Sequence, residues 1–387
     1  MDAFDEFYRD KKVLVTGHTG FKGAWLSLWL NHLGAEVVGC SLGKVSEPDF
    51  YTACQIGNRI ESHQADILDF DRLHNLFTAC RPDIVFHLAA QPIVYESYKH
   101  PRRTVATNVM GTVNVLEAAR CCENTRFAVV ATSDKCYRNK NWAWGYRETD
   151  DLGHGADLYS TSKACAELVV ATYQNERFLS SVEPAGKLSV VAVRSGNVIG
   201  GGDWAEYRLI PDIIRSLHDG KDIHLRCPQA VRPWQHVLAS LSGYLWLGRM
   251  LTHQNSKQVE SSWNIGSTEA HEVTVGQIVR MIQSCWGPSN TTVTVPETCD
   301  CPEAQTLRVD CSKAIHHLNW LSAWDIHETI EQTVNWYKHY YQVNPAEIGE
   351  FSLEQIENYT QAARDKEIRW ATLPCEIPVT VGWEIEL

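Results

Sequence analysis

The sequence predicts an α/β chain, a doubly wound parallel sheet with a smaller, mostly C-terminal substrate-binding lobe. Three observations lead there. Apolar runs at Lys12–Thr16, Asp83–Ala90, Phe127–Ala131 and Leu188–Val193 alternate with helical stretches, and right-handed crossovers turn that alternation into a sheet covered on both faces. A glycine-rich turn joins the first run directly to a helical segment. After Val198 the repeating pattern ends and a stretch rich in arginine and tryptophan begins.

Taken in order, Lys12-Val13-Leu14-Val15-Thr16 reads as the first strand, and Gly17-His18-Thr19-Gly20-Phe21-Lys22-Gly23 turns into a helix over Ala24–Leu33. Glycines at such a turn let backbone approach a pyrophosphate, and the helix amino end offers free N–H groups and a positive dipole; this is the Rossmann-type dinucleotide site. The second strand, Ala35–Gly39, ends in Cys40-Ser41-Leu42, without the Asp or Glu that would hold an adenosine ribose hydroxyl. His18, Lys22 and Lys44 add positive charge, so NAD over NADP is a lean at this point. Asp66-Ile67 follows a short third strand, where Asp66 either approaches the adenine or makes a turn. The fourth strand runs into Leu88-Ala89-Ala90, small enough for a cofactor to pass closely. A helix over about 101–120 contains Asn108, and the fifth strand follows at Phe127.

The richest chemistry lies between Val129 and Lys163. If Phe127–Ala131 is a buried parallel strand, its carboxyl end delivers Thr132, Ser133, Asp134 and Lys135 into the crevice where such sheets bind ligands. Tyr159 and Lys163, four apart on a helix reaching Asn175, share a face, and the ammonium is expected to lower the phenol's pKa and make Tyr159 a base. This helix and that at 101–120 cover one face of the sheet, and their outer sides suit a dimer. Beyond the sixth strand come Asn197, Trp204, Arg208, Arg215, Arg226, Arg232, Trp234 and His236, a set suited to a nucleotide diphosphate, with guanidinium on phosphate and aromatic on base. Ser262–Ile265 returns to the sheet, Val273–Trp286 and Ile326–Tyr340 read as helices, Leu307–Asp310 as a strand and 353–366 as a short helix.

Composition narrows the class. With 44% apolar and 21% charged residues in 387, a large core is available; a net charge of −12 argues against a nucleic-acid surface. No run of 18 apolar residues occurs and the first ten residues are acidic, so the expectation is a cytoplasmic protein without membrane contact. Thirteen cysteines show neither zinc nor disulfide spacing, so free thiols and no metal are expected. The tryptophans near polar turns, Trp142, Trp144, Trp204 and Trp234, suit a cleft wall, with core packing the plainer fate of each alone.

With these residues assembled, the chain resembles the extended short-chain dehydrogenase/reductase superfamily, and within it the CDP-D-glucose 4,6-dehydratase family most. The resemblance covers roughly residues 8–360. It rests on the glycine turn, Ala89-Ala90-Gln91-Pro92, Thr107–Val113, Thr132–Tyr137, Trp144–Glu148, Gly196–Trp204 and Arg232–Val237. Asp134-Lys135 separates it from the dTDP-glucose dehydratases, which have Asp-Glu there.

The resemblance implies NAD as cofactor and a CDP-hexose as substrate. Tyr159 would take the proton of the glucose 4-hydroxyl with Ser133 on the same oxygen, Lys135 would remove the C5 proton, and Asp134 would protonate the departing C6 hydroxyl. Hydride would leave C4 and return to C6. Gln91, Asn197, Arg208, Arg232, His236 and Glu303 would hold substrate. The implied division is a nucleotide domain over 1–198 with a strand returning near 237–267, a substrate lobe over 199–236 and 268–360, and a tail over 361–387; a homodimer or homotetramer is expected. A nucleotide-sugar 4-epimerase or 4-reductase, or a dehydratase of another hexose, is the alternative. The chain departs from the family pattern at Ile93-Val94-Tyr95, at Leu158, at Cys227-Pro228-Gln229 and at Cys301-Pro302-Glu303, near where sugar and phosphates are expected.

Overall fold

Strands whose residues are apolar on both faces must be covered on both, and that requirement sets the layering. The computed structural model describes residues 3–43, 47–153, 157–181, 188–252, 259, 261–267, 273–295 and 306–372. In its first half the chain runs β1 (Lys12–Thr16), α1 (Phe21–His32), β2 (Glu36–Ser41), α2 (Phe50–Ala53), β3 (Glu61–Gln64), α3 (Phe70–Cys80), β4 (Ile84–His87), α4 (Val94–Lys99), α5 (Pro101–Val105), α6 (Gly111–Cys121), β5 (Phe127–Ala131), α7 (Leu158–Tyr173), α8 (Glu176–Ser181), β6 (Ser189–Ser195) and β7 (Asn197–Ile199). There follow α9 (Leu209–Asp219), β8 (Ile223–His224), β9 (Trp234–His236), α10 (Val237–Met250), β10 (Ser262–Ile265), α11 (Val275–Trp286), β11 (Val293–Thr294), α12 (Ser312–Leu318), α13 (Ile326–Lys338) and α14 (Ile348–Asp365).

Seven strands pair in the order β3-β2-β1-β4-β5-β6-β10, all parallel. The order reverses between β1 and β4, which opens a crevice at the strands' carboxyl ends, beside Thr16 and His87. The two-residue period divides the core. Leu14, Val38, Val85 and Val130 face α3, α6 and α7; Val13, Val15, Val37, Phe86 and Val129 face α1 and α10. The returning strand at 262–265 is where the sequence placed it, but Val237–Met250 within 237–267 is α10, buried almost all round. A helix without a polar face carries no 3.6-residue signal, so its sequence does not announce it.

Other expectations change. The helix at 101–120 is broken, with Ala106–Met110 forming a wider π turn between α5 and α6. Leu307–Asp310 is no strand; Thr306 and Val309 make single bridges to Val231 and Tyr146. The last long helix begins at Ile348, and in the segment after it Trp370 stacks on Phe4 and Tyr359, with ring centres 5.2 and 5.6 Å apart, and meets Trp29 edge-on. Because α1 is covered by α10 and α14, one apolar cluster joins the nucleotide half to the later helices. Among the described residues nine cysteines are free and Cys227 is disulfide-bonded, so the expectation of free thiols throughout does not hold for Cys227. Among the described residues no helix is long and apolar enough to cross a membrane.

Three histidines are packed into this frame. His18 lies flat on Gly39, where a Cβ would come within 2.4 Å of the ring; His87 sits between Thr16 and Thr112; His236 meets Trp324 edge-on at 4.9 Å. Burial lowers their pKa values to about 4, 3 and 3 from 6.5, with the Lys163 charge adding to the effect at His87. The unfolded chain therefore binds protons that the fold refuses, and stability is present above 6.5 and lost as pH falls below it. Between about pH 7 and pH 5 each should remove about 1–2 kcal/mol, so the urea midpoint is expected to drop markedly. A midpoint independent of pH over that range contradicts the packing of these rings.

Candidate active site

The glycine turn is shaped by what it must avoid. Gly17 has φ +75°, and a Cβ there would lie 2.7 Å from the Ala89 backbone nitrogen; one on Gly23 would lie 2.1 Å from the Gly17 carbonyl oxygen. Gly20 meets only that same oxygen, at 3.3 Å, and caps α1 without a side-chain acceptor, whereas Asp49, Asp69, Asp157, Thr274 and Asp325 each cap a helix through their side chains. The first N–H groups of α1 are thus presented at the crevice, the arrangement that fits a pyrophosphate. Phe21 opens α1, and Thr19 donates to the Gly43 carbonyl at 2.6 Å and to Ser41 at 3.0 Å, tying the turn to the end of β2. Leu88, Ala89 and Ala90 lie half-buried opposite the turn, with the Leu88 N–H on the Thr16 carbonyl.

Two residues of the turn expected to add positive charge at the crevice have partners within the frame instead. His18 is neutral and bonds Ser62 at 2.7 Å, because its ring is buried under β2. Lys22 reaches inward to the Tyr244 hydroxyl at 2.9 Å. Lys44 lies outside the described residues. Asp66 forms a turn, accepting from the Leu68 N–H at 2.9 Å, while Ile67 fills the space above Gly111, where a Cβ would come within 2.4 Å of it.

Ser133 through Tyr159 converge as the sequence suggested. Ser133 ends the segment after β5, caps a short 3-10 turn over Asp134–Cys136 and donates to Asp134 Oδ1 at 3.1 Å. Asp134 is buried, its Oδ2 has no hydrogen-bond partner among the described residues, and burial raises its pKa against the opposing charge of Lys135. Lys135 Nζ stands 6.0 Å from the centre of the Tyr159 ring. Tyr159 is held at about 12, raised by burial, with a hydrogen bond to Ser133 and the charge of Arg208 pulling the other way. Lys163 donates to the Ala131 carbonyl at 3.2 Å and is lowered to about 8 by burial and then by the charge of Lys22. The expectation that Lys163 depresses the Tyr159 phenol is therefore not met: desolvation dominates, and Asp134, Arg208 and Asp157 are the charges felt there.

Behind these groups lies a network the sequence reading missed. Glu167, one turn beyond Lys163, accepts from Arg194 Nη2 at 2.8 Å, from the Ser262 hydroxyl at 2.6 Å and from Thr132. Arg194 Nη1 donates to Tyr137 Oη at 2.8 Å, and Tyr137 donates to Asn264 at 2.7 Å. Thr132 and Tyr137 bracket the turn that carries Ser133, Asp134 and Lys135. A carboxylate four residues after Lys163, and one arginine inside an apolar strand, were the available signals.

The expected substrate residues divide. Arg208 pairs with Asp203 at 2.8 Å and its charge reaches Tyr159; Arg232 donates to the Val231 carbonyl at 2.9 Å and its charge reaches Asp134. Asn197 lies on β7 beside Trp234. Gln91 and Asn108 hold the backbone instead: Gln91 accepts from the Ile93 N–H and donates to Thr104, and Asn108 brackets the Gln91 peptide and donates to Ser162. His236 is a core residue whose Nδ1 accepts from the Leu238 N–H, so it cannot face substrate. Trp204 is also core, bonded to Tyr341 and packed on Trp336. Thr132 spends its hydroxyl on Glu167 and the Val193 carbonyl. Glu303, with Cys301 and Pro302, lies outside the described residues.

With this geometry in place, comparison with known proteins is informative. Residues 14–333 match the family model described as GDP-mannose 4,6 dehydratase. The chain is 44% identical over 332 residues to CDP-glucose 4,6-dehydratase of Salmonella typhimurium, covering 86% of this chain and 92% of that protein. It is 26% identical to dTDP-glucose 4,6-dehydratase of Haemophilus influenzae, over 84% and 97% of the two chains. Among solved structures it is similar to UDP-glucose-4-epimerase of Stenotrophomonas maltophila with bound NAD, with a TM-score of 0.73 at 21% identity over 86% and 100% of the chains. The chain belongs to the GDP-mannose 4,6-dehydratase family, within the extended short-chain dehydrogenase/reductase superfamily.

Proposed function

We propose that the chain dehydrates CDP-D-glucose to CDP-4-keto-6-deoxy-D-glucose, using NAD as a resident cofactor. The observation that carries this reading is the placement of Asp134 and Lys135 against Tyr159, two groups beyond those a C4 oxidation needs. The 44% identity to a CDP-glucose 4,6-dehydratase supports the base and the hexose. The uncapped start of α1 and Gly17–Gly23 would hold the pyrophosphate of the dinucleotide, with Asp66 and Ile67 toward its adenosine end. Bound there, the nicotinamide accepts a hydride and later returns it.

The chain's own groups then divide the proton transfers. Tyr159 takes the proton of the C4 hydroxyl, with Ser133 bonded to the same oxygen and the Arg208 charge favouring the phenolate. The C4 ketone acidifies C5–H, and Lys135 removes that proton when its side chain is the free amine. Asp134, whose hold on a proton is strengthened by burial, gives its proton to the C6 hydroxyl as water leaves. Arg208 and Arg232 would meet the diphosphate. A 4-epimerase needs the first transfer alone, and nothing in that chemistry uses a buried acid beside Lys135. Val105, Met110 and Leu168, exposed on α5, the π turn and α7, support a homodimer through this face.

Tyr159→Phe removes one oxygen, and turnover is expected to fall by about 10²–10⁴-fold while thermal stabilisation by NAD is kept. Near-normal turnover removes Tyr159 from the role of base. Lys135→Met tests the elimination: the reduced coenzyme's absorbance should rise on mixing with CDP-glucose, no dehydrated sugar should form, and solvent deuterium should stay out of C5. Rapid dehydration by that variant assigns the C5 proton to another group.

A further inference from the structure

Tyr95, one of the residues at which the chain departs from its family's pattern, is half-exposed at 48% and lies against Tyr207, exposed at 50%, with ring centres 4.6 Å apart. The Lys99 ammonium sits over both rings, 4.6 Å from one centre and 5.5 Å from the other. Both rings belong to segments tied to the catalytic groups. Tyr95 and Lys99 are on α4, which packs on α7, the helix of Tyr159. Tyr207 precedes Arg208, whose charge acts on Tyr159 and whose guanidinium is tied to Asp203.

Tyr207 also has φ +65°, a left-handed conformation that an aromatic side chain rarely adopts. A ring held in an unfavourable backbone conformation, packed at a tilt on a second ring under a cation, is a contact with two natural arrangements, made and broken. We propose that Tyr95, Lys99 and Tyr207 form a clasp across the mouth of the cleft, which opens to admit a nucleotide hexose and closes over the sugar, retaining it until dehydration is complete. The proposal rests on the nucleotide-hexose reading above. It assigns to Tyr95 and Tyr207 a part in residence time, with no part in proton transfer.

The test measures the dissociation rate of a nucleotide hexose from full-length protein carrying Tyr159→Phe, so that binding is read without turnover. The ligand is whichever of CDP-, UDP- and dTDP-glucose binds most tightly; a wrong base then overturns the CDP assignment and leaves the clasp readout in place. Tyr207→Asn keeps a residue that tolerates left-handed backbone and removes the ring; Tyr95→Leu removes the other ring. Each should speed dissociation about tenfold or more, both together should add little, and Tyr95→Phe should match the parent. Unchanged dissociation in Tyr207→Asn or Tyr95→Leu, with the fold intact by circular dichroism, reduces the pair to a surface stack and overturns the proposal.

Discussion

The buried ion pair of Arg194 and Glu167 is the interaction on which the site depends. Both side chains are almost wholly out of solvent, at 3% and 1% exposure, where two charges are costly unless every remaining donor and acceptor finds a partner. Here most partners are the site's own scaffold: Thr132 and Ser262 on the carboxylate, Tyr137 and the Glu148 carbonyl on the guanidinium, whose Nε alone has no partner among the described residues. The pair wins over burial, holding the guanidinium's pKa well above its ordinary value. Such a pair adds little to stability over an apolar core, yet removing one partner leaves a stranded charge at about 3–5 kcal/mol, so its geometry is enforced. What it enforces is register. One side chain from α7 and one from β6 grip both ends of the turn between Thr132 and Tyr137, so Ser133, Asp134 and Lys135 keep a fixed position relative to Tyr159.

Desolvation then sets the chemistry of the groups so placed. The same burial raises Tyr159, raises Asp134 and lowers Lys163, which keeps the phenol neutral and strengthens the carboxyl's hold on a proton beside it. Charges from Arg208, Arg232 and Lys135 oppose that trend at separate atoms. The Tyr159 oxygen is thus able to give up its proton when positive charge gathers near it, while burial favours the protonated form of Asp134. Two acids in one pocket, held apart by their neighbours, suit a reaction that takes a proton from one carbon substituent and gives one to another.

Much of this was legible in the sequence, and the limits are physical. Periodicity revealed the strands because each is a short apolar run between polar turns, and Gly17–Gly23 disclosed the cofactor turn because only glycine fits its contacts. Tyr159, Lys163 and the turn at Ser133 were visible as chemistry-bearing residues at the ends of elements. Residue type does not reveal direction: Lys22, His18, Gln91, Asn108 and His236 have the right chemistry but point into the frame, toward Tyr244, Ser62, Thr104, Ser162 and the α10 backbone. Partnership across long sequence separation was equally hidden. Nothing local in Glu167 announces Arg194 and Ser262, and nothing local in Trp370 announces Phe4.

The central claim is that hydride leaves C4 and returns to C6 of the same sugar around a loss of water. It is tested most directly with CDP-glucose deuterated at C4, followed by mass spectrometry and NMR of the product. The account predicts a 4-keto sugar lighter by one water, with the deuterium at C6. A product of unchanged mass inverted at C4, or a dehydrated sugar whose C6 carries no deuterium, would contradict it.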